Sequence, residues 1–306
     1  MTGENLFLNT LAVLVVTLCL PMIGRTQDLH AQNQRWGLDL SLNAVERFEA
    51  DLGDSSFDLS RQQMRVEKNL VQNRKLILGL SASGGIWDYN FTGPQPDIWS
   101  DPWNTVQNVD FGLRFILPGN GRWSYFLASR LDWSWEEGAD TTEGLVSGII
   151  ASAAYHFRYD RRLGFGGAVF RGLEERRFFP YIAVSWKLRE NLTLQNPLNA
   201  GPAGPAGLEL VYDTSGKWQF GGGGAYRSFR FRLDDEGIAP DGIGEMAGFP
   251  VWLRTSWQAT GKLDLGIYAG TVLAGEAVIE DRHGRELGSE HIGPAPLAAV
   301  TLEWKL

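Results

Sequence analysis

The stretch "WSYFLASRLDWSWEE" (residues 123–137) alternates. Trp123, Tyr125, Leu127, Leu131, Trp133 and Trp135 share one parity; Ser124, Arg130, Asp132, Ser134 and Glu136 share the other. Successive side chains of a β-strand point to opposite faces, so one face of this segment is oily and aromatic and the other is polar and charged. What covers the oily face decides the fold: a second layer of polypeptide, or hydrocarbon.

The same period recurs along the chain. Apolar residues repeat at Val109, Phe111, Leu113, Phe115 and Leu117, and at Ile182, Val184, Trp186 and Leu188. They return at Phe249, Val251, Leu253 and Trp257, at Leu263, Leu265 and Ile267, and at Ala298, Val300, Leu302, Trp304 and Leu306. Small, polar or charged residues sit between them, and after the N-terminal segment no stretch shows a helical period. This is an all-β pattern. Several segments run well past the ~5–6 residues of an ordinary globular strand and reach the ~9–11 that a tilted strand needs to cross a bilayer.

Two kinds of connection alternate. Short ones fall at 69–75, 118–121, 159–162, 189–191, 213–217 and 259–262; long or polar ones cover roughly 49–56, 92–103, 136–143, 172–177, 196–205, 234–245 and 281–295. A membrane barrel has this asymmetry, with short turns on one side and longer loops on the other. Thirteen strands fit between residue 57 and the end, and "WGLDLSLNAVERFEA" (36–50) supplies one more. The expected fold is therefore a transmembrane up-and-down antiparallel β-barrel of about fourteen strands, twelve being the alternative count.

With the short turns placed on one side, Trp123, Tyr155, Phe157, Tyr159, Trp186, Trp218, Trp257 and Trp304 all fall near that side on the oily face. Amphipathic rings concentrate at a bilayer interface, and Trp123, Tyr155, Trp186, Trp218, Trp257 and Trp304 are the expected lipid-interface aromatics. A secreted sandwich or soluble barrel is the competing reading, but a soluble core has no reason to sort tryptophans by distance from the short turns. Closed pairing also satisfies every backbone polar group in lipid.

Residues 6–23, "LFLNTLAVLVVTLCLPMI", are the one long apolar run, followed by a small residue at Ala31. The expected organisation is a signal peptide over 1–31, with export through the periplasm, and an outer-membrane barrel over 32–306. Glu4 and the lack of Lys or Arg before the run are atypical, and a retained anchor is the alternative. The single cysteine, Cys19, lies in this run and follows Leu18 rather than a small residue, so a lipoprotein signal is disfavoured. A mature chain without cysteine has no disulfide framework. The formal charge of −8 and the absence of a basic run argue against a nucleic-acid partner.

"LILGLSASGGIWDYNFTG" (76–93), "SYFLASRLDW" (124–133), "FFPYIAVSWKLRENLTLQNPLNAGPAG" (178–204) and "LELVYDTSGKW" (208–218) resemble a domain-of-unknown-function family of bacterial outer-membrane β-barrels, over roughly residues 57–280. The resemblance implies a barrel and an outer-membrane address. It implies no catalytic or binding residues.

The interior-type positions hold Asp110, Arg114, Arg130, Asp132, His156, Lys187, Arg254, Asp264, Glu303 and Lys305. These line the lumen on this reading, either setting the selectivity of an aqueous path or pairing across strands to plug it. Asp110 is expected roughly opposite Arg130 as an ion pair. The leading function is a passive channel for small solutes. The alternative is a closed structural or adhesive barrel acting through its loops, and a third class is a lipid-modifying enzyme. For the enzyme, parity points His156 inward, and no His-x-Ser spacing occurs. His283 and His291 lie in an acidic loop, where solvated residues are a better reading than a metal site. No cofactor is expected, and the expected partners are outer-membrane lipid and small solutes. "GPAGPAG" (201–207) reads as an external loop. The parity change after Tyr226 in "QFGGGGAYRSF" (219–229) reads as a bulge or a strand leaving the membrane. Trp99 and Trp103 in "PDIWSDPWN" (96–104) read as packing into the barrel mouth.

Overall fold

The computed structural model describes residues 37–94, 98, 99, 101–118, 121–197, 201, 202, 204, 207–214 and 216–306. The expected signal peptide over 1–31 lies outside the described residues. Every regular element among them is a strand: β1 (Leu38–Leu52), β2 (Ser55–Gln72), β3 (Ile77–Thr92), β4 (Thr105–Leu117), β5 (Trp123–Glu136), β6 (Leu145–Arg158), β7 (Arg161–Gly172), β8 (Glu175–Arg189), β9 (Leu192–Gln195), β10 (Leu208–Asp213), β11 (Trp218–Gly224), β12 (Arg227–Arg232), β13 (Ile243–Gln258), β14 (Leu263–Glu280), β15 (Glu286–Ile292) and β16 (Ala295–Lys305).

Neighbours in sequence pair antiparallel, and β16 returns to β1 from Asp39↔Lys305 to Arg47↔Leu297, which closes the ring. β11 and β12 both pair with β13, and β15 and β16 both pair with β14, so each couple is one interrupted stave. Sixteen segments thus make a fourteen-stave barrel.

Register carries the outward parity unbroken around the lower ring. Leu42 faces Met64, Leu113 faces Ser129, Phe165 faces Ile182, Leu253 faces Ala269, and Leu302 returns to Leu42. Large apolar side chains on this face stand bare, with Leu253 72% and Ile267 64% exposed. Such a surface is stable only in hydrocarbon. The aromatics near the short turns contact one another on it: Trp123 lies 5.2 Å from Tyr155, Phe157 5.4 Å from Trp186, and Trp218 6.0 Å from Trp257. Toward the other rim the outer face turns polar, where Ser60 Oγ donates to Glu46 Oε1 at 2.8 Å and Thr105 Oγ1 to Asp88 Oδ1 at 2.9 Å.

Some expected connections differ. β2 runs on to Gln72, so the turn expected at 69–75 is confined to residues 73–76. Two of the connections grouped as long or polar, at 49–56 and 172–177, are two-residue turns, at Gly53–Asp54 and Leu173–Glu174. Leu173 and Glu174 have φ of 48° and 63°, the left-handed pair that a tight hairpin of the right twist demands. Polarity, the sequence signal used there, marks the rim whether or not chain is spent on a loop. Part of the expected loop at 281–295 is strand β15.

At the mouth the staves do not stay in the wall. β13 is bulged between Ala247 and Phe249, Ala274 opposite has φ 47°, and β11 passes to β12 through Ala225 and Tyr226. Beyond this line β12 and the upper parts of β13 and β14 lean across the opening as a flap. The tip of β12 pairs in parallel with β5 on the far side of the ring, at Arg232↔Trp135. Gly275 makes the bend sterically feasible, since a Cβ there would fall 2.7 Å from Ile292 Cβ.

Candidate functional site

The flap roofs the lumen and creates a dry core. Phe57, Trp87, Tyr89 and Phe91 point inward from β2 and β3, and Phe229, Phe231, Met246 and Ile279 come down from the flap. Trp87 stacks on Phe229 at 4.8 Å, and Trp103 meets Phe231 edge-on at 5.3 Å. Trp103 is 1% and Phe231 0% exposed, so the loop tryptophans do pack into the mouth. Glu136, the last charged residue of the inward face of β5, ties the parts together: it accepts from Asn104 N at 2.8 Å and Asp234 N at 3.0 Å.

The other face of the flap is ionic. Glu245 accepts Arg177 bidentately at 2.5 Å on both oxygens, along with Ser228 Oγ at 2.7 Å and Arg230 Nη1 at 2.8 Å. Arg230 also grips Glu280 at 2.9 and 2.7 Å and donates to Leu173 O at 3.0 Å. These contacts span a seam in the wall. β8 pairs with β9 only from Ser185 to Arg189, and Asn196 extends the contact by accepting from Val184 N and donating to Ile182 O. Above that, β8 has no strand on its second edge among the described residues, and side chains rather than backbone bonds join it to β12.

Below the flap, every lumen position singled out from sequence lies on the inward parity. Asp110, Arg114, Arg130 and Asp132 belong to one network. Arg130 reaches Asp110 at 3.2 Å and Asp132 at 3.0 Å, while the Cα partner of Arg130 is Gly112 rather than Asp110, so the pair is diagonal. Ser83 Oγ donates to Asp110, which is fully buried. Arg114 bonds Glu67 at 2.7 Å, and Glu67 also takes Arg65 at 2.8 Å. Arg254 forms a fork on Glu209 at 2.9 and 3.0 Å, with Trp252 Nε1 donating to the same carboxylate at 3.2 Å. Asp264 meets Lys305 at 3.4 Å, and His156 Nε2 lies 2.9 Å from Ser124 Oγ. Lys187 and Glu303 share the inward parity without joining the Asp110 network.

Sequence reasoning missed Arg61, Arg65 and Glu67 on β2, Glu209, and the Arg177–Glu245–Arg230 group. A signal existed for β2. Arg61, Gln63, Arg65, Glu67 and Asn69 share one parity in "RQQMRVEKN" (61–69), but their outward neighbours Gln62 and Lys68 spoil the apolar alternation.

"GPAGPAG" is not wholly an external loop. Gly201 and Pro202 are buried in the lumen on the far side of the ring from their own strands, where Gly201 O accepts from Asn43 Nδ2 and Pro202 O from Arg61 Nη2, both at 3.3 Å. Apolar patterning says nothing about a Gly/Pro/Ala segment, because its binding to the wall is through carbonyls.

A cavity of about 810 Å³ opens at the rim beside the flap tip, lined among others by Glu143, Arg171, Glu174, Arg232, Asp241 and His283. The adjoining β14–β15 turn is set by Asp281, whose carboxylate accepts from the backbone N–H groups of Arg285 and His283 and from the Arg285 side chain; these hold it below the usual carboxylate range. His291 lies apart on β15, opposite Glu276. Among the described residues no cluster of metal-ligating side chains occurs.

No family model and no curated protein matches the chain. Among solved structures, the chain is similar to the TodX monoaromatic hydrocarbon channel in a mutant form (9% identity, 88% of this chain and 90% of that one, TM-score 0.39). It is similar to the Pseudomonas putida toluene transporter TodX (9%, 90% and 90%, 0.35) and to the Escherichia coli outer-membrane protease OmpT (10%, 90% and 99%, 0.32). Likeness of this degree says nothing about function.

Proposed function

We propose that this chain is an outer-membrane channel for small solutes, exported through the periplasm, whose lumen is narrowed at rest by its own flap and by the Gly201–Pro202 segment. On this reading it belongs with the outer-membrane barrels of unknown function that its sequence resembles. Trp123, Tyr155, Trp186, Trp218, Trp257 and Trp304 seat it at one bilayer interface, and its partners are outer-membrane lipid and the solute, not nucleic acid.

One observation carries the proposal: two arcs of the inner wall differ. On β6 and β7 the inward side chains are small or apolar over most of the height, namely Gly148, Ile150, Ser152, Ala154, Gly164, Gly166, Ala168 and Phe170, with His156 and Arg162 at the short-turn end. On β2 to β5 they include Arg65, Glu67, Asp110, Arg114, Arg130 and Asp132. A barrel that served only as a support would fill its interior with interlocking side chains, as small barrels do. An arc that is uncharged over most of its height, beside a charged arc, instead favours a path with polar guidance. Ser124 and His156 face this lumen rather than the lipid face, where an enzyme acting on membrane lipid would need them.

Planar-bilayer recording tests the reading. Steady channels that change selectivity with Arg130→Ala, and widen when residues 197–206 are replaced by a short Gly-Ser link, are the expected result. Silence from both the wild type and the shortened variant would mean a closed barrel acting through its rim.

A further inference from the structure

Three buried arginines near the flap lack what the other buried arginines of the lumen have. Arg65, Arg114, Arg130, Arg177, Arg230, Arg232 and Arg254 each lie within 4.0 Å of a carboxylate. Among the described residues, Arg47, Arg61 and Arg227 form no such pair. Arg47 Nε and Nη2, Arg61 Nε and Arg227 Nε and Nη2 are buried without a hydrogen-bond partner. Guanidinium stays charged in proteins, and burying that charge without a partner is strongly unfavourable.

Arg47 and Arg61 lie under the flap, and Arg227 is on its inner face. Val45 is the Cα partner of Arg61 and Leu59 of Arg47, so Arg47 and Arg61 are diagonal cross-strand neighbours. Arg227, the first residue of β12, shares the flap face of Phe229, which stacks on Trp87, the same ring that Arg61 lies over. Two of the guanidinium groups rest on rings: Arg47 lies 5.1 Å from the centroid of Phe57 and Arg61 6.0 Å from that of Trp87. The remaining contact is Arg61 Nη2 to Pro202 O. Contact with a ring face attracts a guanidinium without using its N–H groups, and the edge of the fork matches the two oxygens of a carboxylate or phosphate.

We propose that Arg47, Arg61 and Arg227 form an oxyanion-binding site in the lumen beneath the flap, taking a carboxylate or phosphate group of a small solute. The site deepens the channel reading and rests on it for its purpose, though binding can be measured without transport. The Pro202 carbonyl at Arg61 is the internal group the anion would displace or sit beside, which links occupancy of the site to the segment that narrows the lumen.

The test uses the full mature protein in detergent micelles. Thermal unfolding and equilibrium dialysis are followed with inorganic phosphate, with benzoate, and with chloride at matched ionic strength. The site predicts saturable binding of phosphate, benzoate or both, with Tm rising with concentration as linkage requires. Phosphate alone or benzoate alone identifies the oxyanion class. In Arg61→Gln and Arg227→Gln the affinity should fall about tenfold or more. The Tm without anion should stay level or rise, because an uncompensated charge has gone. Arg227→Lys keeps the charge but not the fork and should bind more weakly than wild type, which tests the site even where a neutral variant folds poorly. No saturable binding, an equal response to chloride, or unchanged affinity in the variants would overturn the proposal. Saturable binding without any ion or solute flux would uphold the site and remove the channel; flux without binding would do the reverse.

Discussion

The half of the barrel near the short turns and the half at the mouth use the same alternation toward opposite ends. Near the turns, Leu253, Ile267 and Val300 point out into bare surface while Asp264, Arg254 and Glu209 point in. At the mouth, the inward set is Phe57, Trp87, Tyr89 and Phe231, packed dry against the flap. The outward set there is Glu46, Ser60, Asp88 and Thr105. One strand, β2, passes through both regimes: Arg65 and Glu67 inside below, Leu59 and Phe57 inside above. The polarity of each face follows the medium it meets at that height, so a membrane barrel can carry a core of the soluble kind at one end.

Substitutions separate the two regimes. The largest effect is expected in the mouth core. Phe231→Ala should cost about 3–5 kcal/mol in denaturant unfolding from micelles or bilayers, the range for a large buried aromatic. A loss below ~1 kcal/mol would mean that the flap is not a packed element. In the lipid-facing half, Leu113→Lys or Leu253→Arg should cost roughly 2–4 kcal/mol in a bilayer, since a charge near the midplane must be desolvated. The same change at Leu287, exposed on β15, should stay within about 0.5 kcal/mol. Equal effects at the two places would erase the distinction between lipid and water.

The seam between β8 and β12 comes next. Arg177→Gln removes the fork on Glu245 and should cost about 1.5–3 kcal/mol, because Arg230 and Ser228 still hold that carboxylate. Limited proteolysis of the flap should quicken in step. A smaller effect, of opposite sign, is expected at the bend. Ala274 sits at φ 47°, a conformation glycine adopts without penalty, so Ala274→Gly should stabilise by roughly 0.5–1 kcal/mol in the same unfolding assay. Destabilisation there would mean that β14 bends for a reason other than the bulge.

The alternation at 123–137 made the barrel legible because period two, strand length and the bunching of tryptophans near the short turns all depend on nearest-neighbour geometry. Counting segments between the connections, with 36–50 added, led to fourteen staves, twelve being the alternative. The break after Tyr226 was visible too, as a shift of apolar phase, and it marks where β11 leaves the wall as β12. The turns at 53–54 and 173–174 were less legible, because polarity reports solvent and not the number of residues in a loop.

Local pattern, then, determined that the chain is all strand and which parity is oily, since these are properties of a residue and its neighbours two places away. Only the tertiary structure decided that the flap crosses to β5, that Gly201 and Pro202 enter the lumen, and that Arg47, Arg61 and Arg227 meet without carboxylates. Each of those facts joins segments far apart in the chain, and pairing across a ring depends on closure, shear and the bend at one bulge, none of which leaves a periodic trace in sequence.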